Sequence, residues 1–364
     1  MLSLTGRFKC GLGRLLFNVE YDRGAVIEGY LIPDGFSDEA TIIVTRDDGS
    51  MIAVPCDQPK PSVVQAGRHA TGMVGFRIDE SKVTGLATQR RLSIQDNKTG
   101  LLIYRRRAAI DNLVQLKLLR LELSILPMMK FDAYCGQNFQ YAISSVERFG
   151  HETTMQAFHL NAASSVYISG RLLLRNYEDF LDKGFRAIVD IPDPYYEMAC
   201  RLFILSRMNK SSVSFLGDRD RLNLSPAVAH FAHVNLEDER AVRRALKKAP
   251  DKVRRVLISP ITHQFVATYP EQRITRRDVA PAIGALARFV VVGHGDNSVH
   301  FQQAVGELLS VPPIDVPIAS KYSVLTDLAL RLRQMPVAEM MLEEDLIFDH
   351  YVRKAVTPDV GTQG

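Results

Sequence analysis

The sequence predicts an α/β protein: a mainly parallel sheet with helices on both faces, preceded by a small all-β sandwich. Three observations carry this. From about Val19 to Asp79, short apolar runs alternate with turn residues and no long helix intervenes, which is the pattern of a sandwich. From Gly100 onward, strand-length and helix-length apolar segments alternate, which is the pattern of a parallel sheet covered by helices. Between them in importance stands the stretch Gln156–Arg207. It reads as a strand, a polar Ser-containing turn, a helix, a second strand, and a Pro-bounded loop entering another helix. The boundaries that follow are a sandwich module at 1–85, a polar linker at 86–99, an α/β domain at 100–356 and a disordered tail at 357–364.

In the first module, Asp48-Gly49 between TIIVT and MIAVP signals a hairpin, because Gly accepts the positive φ such a turn needs. In the second, GLLIY reads as a buried strand followed at once by Arg105, Arg106 and Arg107. From Asp111, a plausible N-cap, DNLVQLKLLRLELSIL is apolar almost all round and stops at Pro127, the marks of a buried helix. NFQYAISSVERF reads as helical, and RRVLISP, HQFVATY and RFVVVGHG read as strands. LEDERAVRRALKKA has acids in its first turn, bases in its last and a Glu239–Arg243 pair, which together stabilise a solvated helix. SVHFQQAVGELL, YSVLTDLALRLRQ and AEMMLEEDLIFDHYVRKAV complete the helices.

Composition narrows the class of function. At 46% hydrophobic and 24% charged residues, the 364-residue chain is ordinary for a globular protein and long enough for two domains. A net charge of +4 permits an anionic ligand without demanding one. The Cys residues are far apart and lack His at metal spacing, so reduced, mostly buried thiols are expected and a metal site is not. No run reaches the length of a membrane span, and the N-terminal residues lack the apolar core of a signal peptide, which gives a cytoplasmic expectation. No aromatic–basic interleaving supports nucleic-acid binding.

Within the α/β domain, Arg105–Arg107 is the leading anion site, since it sits at a strand-to-helix turn where ligands collect; a solvated charge run is the alternative. A strand ending at His159 would bring His159, Ser164 and Ser165 to the carboxyl edge of the sheet. There His159 could act as a base and the Ser pair could hold a donor, or Ser164 or Ser165 could simply cap a helix. Ser169-Gly170-Arg171 could cover an anion through the Gly backbone and Arg171, or be a tight turn. Asp193 is read as a helix cap with Pro194 at the first helical position. Gly293-His294-Gly295-Asp296 is a phosphate-friendly turn without the full dinucleotide fingerprint, and Walker and nucleophile-elbow motifs are missing.

Three segments, in order, resemble the P-loop-like carbohydrate sulfotransferases. FRAIVDIPDPYYEMACRLFIL is similar to the family's strand ending in Asp-Pro-Tyr and the helix after it. RFVVVGHGDNSVHFQQAVGELL is similar to the late strand and its helix, and EEDLIFDHYVRKAV to the terminal helix. The resemblance implies a sulfotransferase-like fold over 100–356, with GLLIYRRR in the place of the phosphosulfate loop. It also implies phosphoadenosine phosphosulfate as donor and a carbohydrate or glycolipid acceptor in bacterial surface-polysaccharide (exopolysaccharide) synthesis or modification. The family's Arg and Ser that grip the 3′-phosphate are replaced here by Pro192 and Cys200. That departure implies an alternative, a catalytically inactive binding or regulatory partner of a polysaccharide synthase.

Overall fold

The computed structural model describes residues 15–106, 113–160, 163–209, 213 and 215–356. Arg107 and the expected disordered tail, 357–364, lie outside the described residues. The chain divides into two compact units. One holds residues up to 113 together with 140–163 and 217–219; the other holds 114–139, 164–216 and the residues from 220 onward.

The first unit is built on two antiparallel four-stranded sheets. One runs β1 (Leu16–Asp22), β2 (Ile27–Ile32), β6 (Met73–Ile78), β5 (Gln58–Pro59); the other runs β4 (Met51–Pro55), β3 (Thr41–Thr45), β7 (Leu92–Asp96), β8 (Leu102–Arg106). β3 and β7 bury alternate residues, the pattern of a half-covered sheet; Ile42, Val44, Val74, Phe76 and Ile94 are sealed from solvent. The expected β3–β4 hairpin forms, with Gly49 at φ 78°. The boundary moves, however. The polar run read as a linker contains β7, and Leu102-Ile103-Tyr104 of GLLIY with Arg105 and Arg106 is β8, the edge strand beside it. Asp96-Asn97-Lys98-Thr99-Gly100 is the turn joining them: the Asp96 carboxylate accepts from the Thr99 amide at 2.8 Å and hydroxyl at 2.6 Å. Residues 140–163 add a short strand, β10 (Tyr141–Ile143), where a helix was expected, and the Gly150–Phe158 helix.

In the second unit the strands run β11 (Val166–Gly170), β9 (Lys117–Leu121), β12 (Arg186–Ile191), β13 (Phe289–His294), parallel throughout. Helices flank this sheet, as the sequence predicts. Of the helix expected over DNLVQLKLLRLELSIL, Asp111 and Asn112 lie outside the described residues; the rest contains instead the central strand β9, whose Leu118, Leu119 and Leu121 are buried between neighbours on both sides. Leu119-Arg120-Leu121-Glu122-Leu123-Ser124 alternates apolar and polar residues with the period of a strand. RRVLISP and HQFVATY are also not strands. The first is mostly the turn between the short helix Asp251–Arg254 and Pro260; the second begins within the Pro260–Val266 helix, which is opened by Pro260 and held by the Asp345 carboxylate, accepting from the Ile261 and Thr262 amides. Asp193 caps the Pro194–Arg207 helix by accepting from the Tyr196 amide at 2.9 Å. A helical layer is centred on Leu202, Leu205, Phe231, Leu246 and Leu332. Among the described residues, no helix is long and apolar enough to cross a membrane.

Arg106 is structural. Its guanidinium donates to both Asp22 oxygens, at 2.7 and 2.5 Å, and to the carbonyls of Gly24, Leu86 and Gln89. Burial would raise the Asp22 carboxyl, but bonds from Arg106, the Gly24 amide and Tyr104 outweigh it and hold the group below the usual carboxylate range. Removing Arg106 strands a partly buried carboxylate and three carbonyls. Arg106→Ala is expected to lower stability by about 2–4 kcal/mol, read as a shifted urea midpoint; an unshifted midpoint would show that the clamp contributes nothing.

Candidate functional site

In an open parallel sheet, ligands collect outside the carboxyl ends of adjacent strands whose following connections leave in opposite directions. From β9 the chain passes to β11 on one side, and from β12 to β13 on the other. The crevice between the ends of β9 and β12 is therefore the candidate site. Its walls are the loop Glu122–Met128, which leads into the Met129–Asn138 helix, and the turn Pro192–Asp193.

Arg120 organises the β9 side. It is 2% exposed and donates to Glu122 (2.7 Å), Asp132 (2.9 Å) and the Tyr167 hydroxyl (2.9 Å). Asp132, from the Met129–Asn138 helix, also accepts from Tyr167 (2.6 Å) and Ser169 (2.7 Å). Parallel register places Ser169 beside Arg120, so one face of the sheet carries this buried polar set.

A loop of this kind would bind an anion through backbone N–H groups at the start of its helix. Here the chain's own carboxylates take those donors. Glu122 Oε2 accepts from the Met128 amide at 3.0 Å, and Glu122 Oε1 from Ser124 N at 3.4 Å. Glu197, fully buried, accepts from the Ile125 amide at 3.0 Å, the Ser124 hydroxyl at 2.7 Å and Arg201 Nε at 2.7 Å. Burial pushes the Glu197 carboxyl up, against the opposing pull of Arg201, Ser124 and Ile125. The Ser124 hydroxyl in turn accepts from the Leu126 amide.

The end of β13 is closed in the same way. Gly295 N donates to the Ile191 carbonyl, Asp296 N to His294 Nδ1, and Asn297 N to the His294 carbonyl. His294 Nε2 lies 2.8 Å from Asp349. Gly293 is required by packing, since a Cβ there would stand 2.5 Å from the Phe301 ring. Asp193, Asp296 and Asp349 are bridged by Arg353, with Arg333 on Asp193 and Lys321 on Asp296. Burial opposes ionisation of Asp296, yet Lys321 and Arg353 hold its carboxyl below the ordinary value.

One group stands apart. Asp190, at the end of β12, lies one step beyond the Val189–Leu121 pair and so beside Glu122. Its Oδ1 is buried and makes no hydrogen bond. Burial, and then the Glu122 charge, push its carboxyl up to about 6.

The residues singled out by the sequence fall elsewhere. Arg105 and Arg106 are consecutive in β8 of the first unit, so their side chains leave opposite faces and cannot converge on one anion. Neither belongs to a strand-to-helix turn of the parallel sheet. His159 is the C-cap of the Gly150–Phe158 helix, also in the first unit, and is not at the end of a strand. Ser164 and Ser165 precede β11 and thus stand at the amino edge of the sheet; Ser164 bonds Gln115 at 2.7 Å and Ser165 is buried. Arg171 alone follows a strand at the carboxyl edge, where it pairs with Asp220 at 2.6 Å. Glu122 and Ser124 were missed because β9 was read as a helix, and Asp190, on the correctly read β12, because its neighbour Glu122 was then not at the strand end. The comparisons with known proteins add no relative: no family model, no curated protein and no solved structure matches this chain.

Asp190 sets a pH dependence. Its folded value, about 6, exceeds the ordinary 3.8, so the folded chain keeps a proton that the unfolded chain releases between those limits. Stability from this group is complete below pH ~4 and falls as pH rises through the window, by about 3 kcal/mol. Asp190→Asn holds no such proton. Urea denaturation of both proteins from pH ~4 to ~7 should therefore show the variant gaining on the parent by about that amount; a constant difference would mean that Asp190 is ionised throughout.

Proposed function

We propose that this chain is a catalytically inactive, sulfotransferase-like protein that acts by binding, as a partner or regulator of a surface-polysaccharide synthase. The observation that carries the inactive part is the occupied loop. Glu122 and Glu197 present carboxylates to the Ser124, Ile125 and Met128 amides, the donors that a phosphate or sulfate would need. A second anion entering there would meet like charge in a buried setting, which is strongly unfavourable. Pro192 and Cys200, in place of the family's Arg and Ser, agree with this. The polysaccharide setting rests on the resemblance of the three segments alone.

A transferase reading keeps one supporting observation. Asp190 is a carboxyl without a hydrogen bond on one oxygen, raised to about 6, and a general base works best with a pKa near the working pH. In that reading Asp190 takes the proton of the acceptor hydroxyl, and His159 has no part.

The melting temperature separates the two. A ligand that binds only the folded chain adds about 2.7 kcal/mol at roughly one hundred times its dissociation constant, a shift easily read. The binding reading expects no movement with phosphoadenosine phosphate, nucleotide sugars or sulfate. A saturable rise with phosphoadenosine phosphate that Asp190→Asn leaves intact, together with turnover that Asp190→Asn abolishes, would replace it with the transferase reading.

A further inference from the structure

The Glu239–Lys248 helix turns Val242 and Leu246 into the core and its charges outward. The acids are at its start: Asp238 caps the helix and Glu239 pairs with Arg243 at 2.6 Å. Beyond that pair, Arg240, Arg244, Lys247, Lys248, Lys252 and Arg255 are exposed. None of these six cations has an ion-pair or hydrogen-bond partner for its side chain among the described residues. Arg254 straps this end in place by donating to the Lys247 carbonyl at 3.0 Å. Unpaired like charges a turn apart repel one another, so the face carries a standing cost that an acidic partner would remove.

Beside this face lies an open depression of about 700 Å³ between the end of the Asp218–Phe231 helix and the turn after Lys248. Its walls are mostly apolar, from Pro226, Ala229, Pro250 and Val253, with His230, Asp251 and Lys252 completing it. His230 Nε2 lies 2.9 Å from the Ala245 carbonyl, which ties the depression to the basic helix.

We propose that this face docks an acidic peptide segment of a partner protein, with one apolar side chain seated in the depression and flanking carboxylates on Lys247, Lys248, Lys252 and Arg244. The two features together select this partner. Residues 239–255 contain no aromatic side chain on which the bases of a nucleic acid could stack. The helix has no apolar side left to enter a membrane, since Val242 and Leu246 are already buried. A plain polyanion satisfies the cations and leaves the apolar walls wet, whereas an acidic peptide with an apolar anchor covers both. The inference concerns a surface remote in sequence from the occupied loop and stands independently of it.

The test is selection of phage-displayed random dodecapeptides on the full-length protein. Affinities of the enriched peptides, resynthesised, are then measured for the parent, for Lys247→Glu/Lys248→Glu/Lys252→Glu and for Ala229→Glu. All four positions are exposed, and a melting curve verifies each fold. Enriched peptides should carry Asp and Glu around one aliphatic or aromatic residue, weaken with salt, and lose at least about tenfold affinity on either variant. The proposal is overturned if no peptide is enriched, if the enriched peptides lack that pattern, or if both variants bind as the parent does. It is equally overturned if poly-glutamate without an apolar residue binds as tightly.

Discussion

Arg120 keeps its charge at any working pH and is shut away from water, so the centre of the second unit has to be arranged around it. Glu122 and Asp132 answer that charge from β9 itself and from the helix that follows. The consequences spread outward. With its position fixed by Arg120, Glu122 reaches the Met128 amide and becomes the resident anion at the helix start. Burial, and then the Glu122 charge beside it, push the Asp190 carboxyl up to about 6, against the pull of His294, Arg120 and Lys321.

The same economy recurs along the carboxyl edge. Glu197 on the Ile125 amide, Asp345 on the Ile261 and Thr262 amides, and the Asp193–Arg353–Asp296 network all meet donors with groups supplied by the chain. Burial raises Asp345 to about 7, so even a carboxyl with two amide donors is costly to ionise when sealed from water. An α/β sheet of this topology has a ready place for an external anion, and in this chain that place is taken by internal ones.

Much of the fold was legible where the signals are local. The Asp48-Gly49 hairpin, the Asp193-Pro194 helix start, the Glu239–Arg243 pair and the strand RFVVVGHG all depend on residues within a few positions of one another. β9 misled because a cap-like Asp111 and a stopping Pro127 framed an apolar run, while the alternation Leu119-Arg120-Leu121-Glu122 inside it was the better signal. The strand-like composition of HQFVATY yielded to Pro260 and to Asp345, which is far away in sequence and invisible to a local reading. The site was hidden for the same reason: Ser124 and Glu197 meet only once β9 and the Pro194–Arg207 helix are in place.

The path of the chain between its units has a practical outcome. Residues 140–163 and 217–219 belong with the N-terminal sheets, although residues of the other unit precede and follow them. Thr153 shows how closely 140–163 is integrated there, since its hydroxyl both donates to the Leu15 carbonyl and accepts from the Leu15 amide at 2.9 Å. No single cut of the polypeptide therefore yields either unit whole. A fragment ending near residue 113 lacks its own closing helix, and the remainder carries that helix with nothing of its own unit to dock on. Separating the units by expressing fragments therefore disrupts both at once, and substitutions within the intact chain are the way to address one unit alone.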